Sequence, residues 1–154
     1  MRIVVIALSA LLVALSATAA ERHWLITPEE VAAAGRSAAV DMLPMMASQG
    51  SGPQIVVYDP KLLDRLRSPV SIMVEFLPGA SGLAPDMASL TVTLRGFISI
   101  DITDRLRQYL AGMRLAVEGA DLPTGNHRIR MVVADTAGNL SARDLVLAVV
   151  EGPR

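Results

Sequence analysis

The chain has 154 residues, with 14 basic side chains against 15 acidic ones and no cysteine. That length suits one domain rather than two, and the near-neutral charge offers nothing to nucleic acid or to an anionic membrane. Without cysteine there is no disulfide, no lipidated N-terminal cysteine and no thiolate metal site, so the fold must hold by core burial.

Residues 1–20 open with one charge, Arg2, continue as an apolar run over 3–15, and close on Ala17, Thr18, Ala19 and Ala20. A basic start, an apolar middle and a small-residue end predict a secretory signal peptide, cut after Ala19 or Ala20. The rival reading is an uncleaved anchor, which the small residues at the end and the missing basic flank argue against. The mature protein is therefore expected in the periplasm or outside the cell, with no stable membrane insertion.

Residues 21–52 read as a helical extension and a Gly/Ser linker. Thr27 as N-cap, Pro28 at the first helical position and Glu30 completing a capping box predict a helix start. Gly35 either ends this helix or lies within a longer one reaching Met42, and Pro44 stops it in both cases. Residues 47–53 carry no packing side chains and read as a tether. Outward Met73 and Leu77, further along, offer the helix residues Val31, Val40, Met42 and Leu43 a surface; a partner protein is the other claimant for that apolar face.

Residues 53–154 read as one β domain. A short strand over 55–58 ends at Asp59 and Pro60, and 70–77 alternates Val70, Ile72, Val74 and Phe76 inward against Ser71 and Glu75. Prolines and glycines over 78–86 demand a long turn. Leu90, Val92 and Leu94 then alternate with Thr91, Thr93 and Arg95. After Gly96 a further strand is predicted over 97–102, followed by one or two helical turns or a simple turn after Thr103, then a strand over 113–117.

The C-terminal stretch 126–150 is the most strongly patterned. His127, Ile129, Met131 and Val133 alternate with Arg128 and Arg130, and Leu145, Leu147 and Val149 form the inward row of a second strand. Asp135, Gly138, Asn139 and Ser141 supply turn chemistry between the two. In total seven strands are expected, nearly all with one apolar face. That pattern implies an all-β fold of two antiparallel sheets packed face to face, with an open barrel as the runner-up.

From residue 53 onward the pattern resembles bacterial immunoglobulin-like or fibronectin-III-like domains of exported proteins. Ser68, Pro69 and Val70, the corner 122–127, and the turn 135–139 carry the resemblance. It implies a seven-stranded antiparallel immunoglobulin-like sandwich, and it implies no particular activity, because that scaffold hosts many roles. Both cysteines and the core tryptophan of antibody domains are missing; Trp24 lies outside the expected domain.

The chemistry is sparse. A Ser/His/Asp set drawn from Ser141 or Ser68, His127 and Asp135 has no supporting motif, and His127 reads as a strand-end histidine bonding a loop carbonyl. Asp101 and Asp104 read as a strand-end acid and a helix-cap acid rather than a glycosidase pair. Asp135 and Asn139 are candidate calcium ligands at one pole, although a calcium loop ordinarily presents acids at every second residue. A mature N-terminus at Glu21 would let His23 complete a square-planar Cu(II) site, with Met42, Met45 and Met46 as soft donors for Cu(I).

The expectation from sequence is thus a non-enzymatic interaction or accessory module of the cell envelope that needs no cofactor and takes an unidentified protein partner. Its expected contact surfaces are the sheet edges and the loops 78–86 and 135–143. A periplasmic copper-binding protein is the alternative.

Overall fold

The computed structural model describes residues 23–35, 50–61 and 65–151. The expected leader, the expected helix continuation to Met42, the methionines Met42, Met45 and Met46 and most of the expected linker lie outside these residues.

Nine strands and two short helices are present among the described residues, in the order α1 (Pro28–Ala34), β1 (Gln54–Asp59), β2 (Arg65–Leu66), β3 (Val70–Leu77), β4 (Pro85–Arg95), β5 (Ile100–Asp101), α2 (Thr103–Arg107), β6 (Leu110–Ala111), β7 (Arg114–Ala120), β8 (Gly125–Asp135) and β9 (Leu140–Val149). They form a four-stranded sheet, β1-β3-β7-β6, and a five-stranded sheet, β2-β9-β8-β4-β5. The fold is all-β in kind, and inward rows from both sheets meet in one core. Val74, Phe76, Leu115 and Val117 come from the first sheet; Val92, Met131, Val133 and Leu147 come from the second.

The expected inward rows are the observed ones. Val70, Ile72, Val74 and Phe76 are buried on β3, Leu90, Val92 and Leu94 on β4, and His127, Ile129, Met131 and Val133 on β8. Alternation every second residue places each row on one face, and burial of that face holds the register.

The expectation of seven strands is corrected to nine, because two further strands of two residues each (β2 and β6) have no periodicity to read. Among the nine strands pairing is antiparallel except for β2 against β9, where Arg65 and Leu66 run parallel to Ala148 and Val149; Trp24 adds an isolated parallel bridge to Asp121. The strand expected over 97–102 shrinks to Ile100–Asp101. Phe97 and Ile98 are 83% and 57% exposed. The chain leaves the ladder there because Gly96 meets the end of α1: a Cβ on Gly96 would lie 2.5 Å from the Ala34 carbonyl oxygen. The Ile98 amide donates to that same carbonyl at 3.1 Å.

The N-terminal segment is built into the fold. Leu25 and Ile26 are fully buried in the core. The Leu25 amide donates to the Asp121 carbonyl at 3.1 Å, and the Asp121 amide donates to the His23 carbonyl at 2.8 Å. Helix α1 begins with the expected capping box: the Glu30 amide donates to Thr27 Oγ1 at 3.2 Å and the Thr27 amide to Glu30 Oε2 at 3.0 Å. It ends at Ala34, with Gly35 at φ 68°, a left-handed conformation that favours glycine. It lies at the end of the sandwich, against the β4–β5 loop and α2. The Glu30 carboxylate pairs with Arg105 of α2, whose Nη1 also donates to the Leu25 carbonyl at 3.2 Å.

Helix α2 is set by its neighbours as well. Asp101 Oδ1 accepts from the Thr103 amide at 2.8 Å; the Thr103 side chain first, and this amide after it, hold the Asp101 carboxyl below its ordinary pKa. The Thr103 hydroxyl oxygen accepts from the Val92 amide at 2.8 Å, fastening the helix to the middle of β4. Asp104 stays in solvent and pairs with Arg107 at 3.3 Å.

Candidate functional site: a cleft between two sheet edges

A sandwich has open sides wherever its edge strands do not meet. On one side the edges are β1, at the end of its sheet, and β9, which β2 covers only at Ala148 and Val149. Between them lies a cavity of about 400 Å³. Ile55 and Gln54 line it from β1, Ser141 and Arg143 from β9, and Gly52 and Gly79 from the loops above.

Arg143 occupies the inward row of β9, the row that also holds Ser141, Leu145 and Leu147. A cation there cannot enter the core, so it reaches across the open side. Its Nη1 donates to the Ile55 carbonyl at 2.5 Å. It is the one charged residue lining the cavity among the described residues.

The upper wall is backbone packed on backbone. A Cβ on Gly79 would stand 1.7 Å from the Gly52 carbonyl oxygen, and one on Gly52 would stand 2.5 Å from the Asn139 carbonyl oxygen. No side chain fits at either position, so three chain segments close to contact distance. The Ser81 amide donates to the Ser51 carbonyl at 3.2 Å, tying the β3–β4 loop to the segment before β1.

Asp135 braces that wall from behind. Its Oδ1 accepts from the amides of Ala137 and Asn139, both at 2.9 Å. Its Oδ2 accepts from Asn139 Nδ2 at 2.8 Å and from the Ser81 hydroxyl at 2.7 Å. The Asn139 side chain, followed by Ser81 and the two amides, holds the carboxyl at about 2 against the opposing effect of burial.

The residues singled out from sequence are placed as follows. Asp135 and Asn139 are brought together, bonded to each other within the turn. Four donors occupy the carboxylate lone pairs that a calcium ion would need. No group of three or more histidine, aspartate or glutamate side chains that could hold a metal occurs among the described residues. His23 is exposed, its ring edge-on to Tyr109 with centroids 5.6 Å apart; the three methionines that would join it lie outside the described residues.

His127 is 2% exposed, and its Nε2 lies 2.7 Å from the Pro123 carbonyl oxygen. Asp135 is eight residues further along the same strand, roughly 27 Å away at about 3.4 Å per residue. Ser68 is engaged at the corner, where its hydroxyl donates to Asp121 Oδ1 at 3.3 Å and accepts from the Leu122 amide at 3.1 Å. The Ser/His/Asp set is therefore not assembled.

Sequence reasoning placed Arg143 at the end of a contact loop, 135–143, rather than on the inward row of β9, and it missed the glycine wall. The signal for Arg143 was present: counting back by twos from Val149, Leu147 and Leu145 reaches a cation on an inward row. The glycines carried no comparable signal, because close approach is a property of segments remote in sequence. No protein-family model matches the chain, and neither a curated protein nor a solved structure matches it.

Proposed function

We propose that this chain is an exported, non-enzymatic interaction module of the bacterial cell envelope. It would be built as an immunoglobulin-like sandwich and take a partner's extended, acidic segment in the cleft between β1 and β9. Export rests on the leader-like residues 1–20. The strand orders support the immunoglobulin-like reading. Taking β1, β3, β7 and β6 as A, B, E and D, and β9, β8 and β4 as G, F and C, gives the two sheets of that fold. The short strands β2 and β5 then lie at the two edges of the second sheet.

The observation that carries the binding assignment is Arg143 at the open side of the sandwich, beneath a wall of peptide groups. Peptide N–H and C=O groups pair with an extended backbone, and a guanidinium pairs with a carboxylate. The buried, carbonyl-bonded His127 accords with a binding role rather than a catalytic one.

The test is site-specific photocrosslinking in the envelope. A photoreactive residue replacing Gln54, at the cleft, is expected to capture a discrete partner, and Arg143→Gln is expected to cut the yield about tenfold, the equivalent of one charge-assisted hydrogen bond. Equal capture by a photoreactive residue replacing Gln108, at the end of α2, would remove the assignment.

A further inference from the structure

On the five-stranded sheet, Arg95 of β4 and Arg128 of β8 are register partners in an antiparallel pair. They alternate with the buried Leu94 and Ile129, so both side chains leave the face turned away from the core. Partners of this kind sit about 5 Å apart, and like charges placed so repel one another.

The next row of the same face shows how such a cation is ordinarily neutralised. Arg130 Nε donates to Asp144 Oδ1 at 3.0 Å. Arg128 has no equivalent. Its Nε and Nη1 are shut off from solvent and have no hydrogen-bond partner. Its neighbour across β9 is the apolar Val146. Arg95 donates from Nη1 to the Ser99 hydroxyl at 3.3 Å, a neutral acceptor.

The row on the other side adds a third cation, Arg65 of β2, in register with Ala148 and, through it, with Asn126. The acids of this face are already engaged: Asp144 with Arg130, and Asp101 with the Thr103 amide. Desolvated N–H donors without acceptors are costly, and an opposed like charge adds to that cost.

We infer that Arg95 and Arg128 form a binding site for a doubly charged oxyanion of the phosphate class. Two guanidinium groups opposed across a strand pair match both the charge and the several acceptor oxygens of such a group. The site is on the outer sheet face, apart from the cleft at the β1–β9 side, so either assignment stands if the other fails.

Inorganic phosphate titrated at ionic strength held constant with sodium chloride tests it. The thermal midpoint of the wild-type protein is expected to rise by several degrees at saturation. The Nε–H NMR resonance of Arg128 is expected to move in step. Arg128→Met and Arg95→Gln are each expected to abolish the response; if Arg128→Met fails to fold, Arg95→Gln carries the test. Arg114→Gln, on the other sheet, is expected to keep the response.

A parallel arm uses phosphatidylcholine vesicles containing phosphatidic acid. Co-sedimentation lost in Arg95→Gln would assign the anion to a lipid headgroup, and a response to soluble phosphate alone would assign a free anion. An unchanged wild-type midpoint and resonance, a response equal in wild type and Arg95→Gln, or acetate acting as strongly as phosphate would each overturn the inference.

Discussion

The Ser81 hydroxyl donates to Asp135 Oδ2 at 2.7 Å across 54 residues of sequence. This bond and the one from the Thr136 amide to the Ala84 carbonyl at 3.1 Å join the β3–β4 loop to the β8–β9 turn, and the Ser81 amide joins both to the segment before β1. The upper wall of the cleft is therefore a single braced unit.

Breaking the brace is expected to loosen the wall before it unfolds the domain. Ser81→Ala removes one donor, and Asp135→Asn removes the charge that draws all four. Hydrogen exchange at the Ala137 and Asn139 amides is expected to quicken about tenfold in Ser81→Ala, the equivalent of one hydrogen bond, and more in Asp135→Asn. Unchanged exchange in both variants would mean that the bond does not hold the wall.

Ile26 tests whether the N-terminal segment is part of the core. It is 0% exposed, so Ile26→Ala is expected to cost about 2–5 kcal/mol in urea unfolding, as a core truncation does. Thr27→Ala, which removes the helix cap, is expected to cost about 1 kcal/mol. A loss below about 0.5 kcal/mol for Ile26→Ala would return this segment to the status of a tethered extension.

Acid stability follows from two carboxyls. The hydrogen bond from Arg105 is the main reason Glu30 sits at about 2 rather than 4.5, and the turn donors hold Asp135 at about 2 rather than 3.8. Both folded values are depressed, so between about pH 2 and the ordinary values the unfolded chain binds more protons. The contribution is complete above the ordinary values and disappears as pH falls through them toward 2. For Glu30 it amounts to about 1 kcal/mol once solvent screening at the 41%-exposed Arg105 is allowed for. Arg105→Gln is expected to remove that share, so that the variant differs from wild type at pH 6 and converges with it near pH 2. A gap that persists at pH 2 would place the effect in packing instead.

Much of the fold was legible because it was written locally. The rows of β3, β4, β8 and β9 alternate within single strands, and the capping box of Thr27 and Glu30 spans four residues. The same holds for the Asp135–Asn139 turn. Each is a short-range rule about which side chains can share a face or satisfy a nearby backbone group.

What only the tertiary structure decided depends on partners remote in the chain. Strands β2 and β6 exist because a neighbour offers them hydrogen bonds, and two residues carry no period of their own. Phe97 and Ile98 face solvent because the end of α1, some sixty residues earlier, turns the chain there. Arg143 meets Ile55 across 88 residues, and Gly52 meets Gly79 because their segments close on one another. Periodicity fixes which face of a strand is buried; it does not say which edges remain open, and the cleft lies between two open edges.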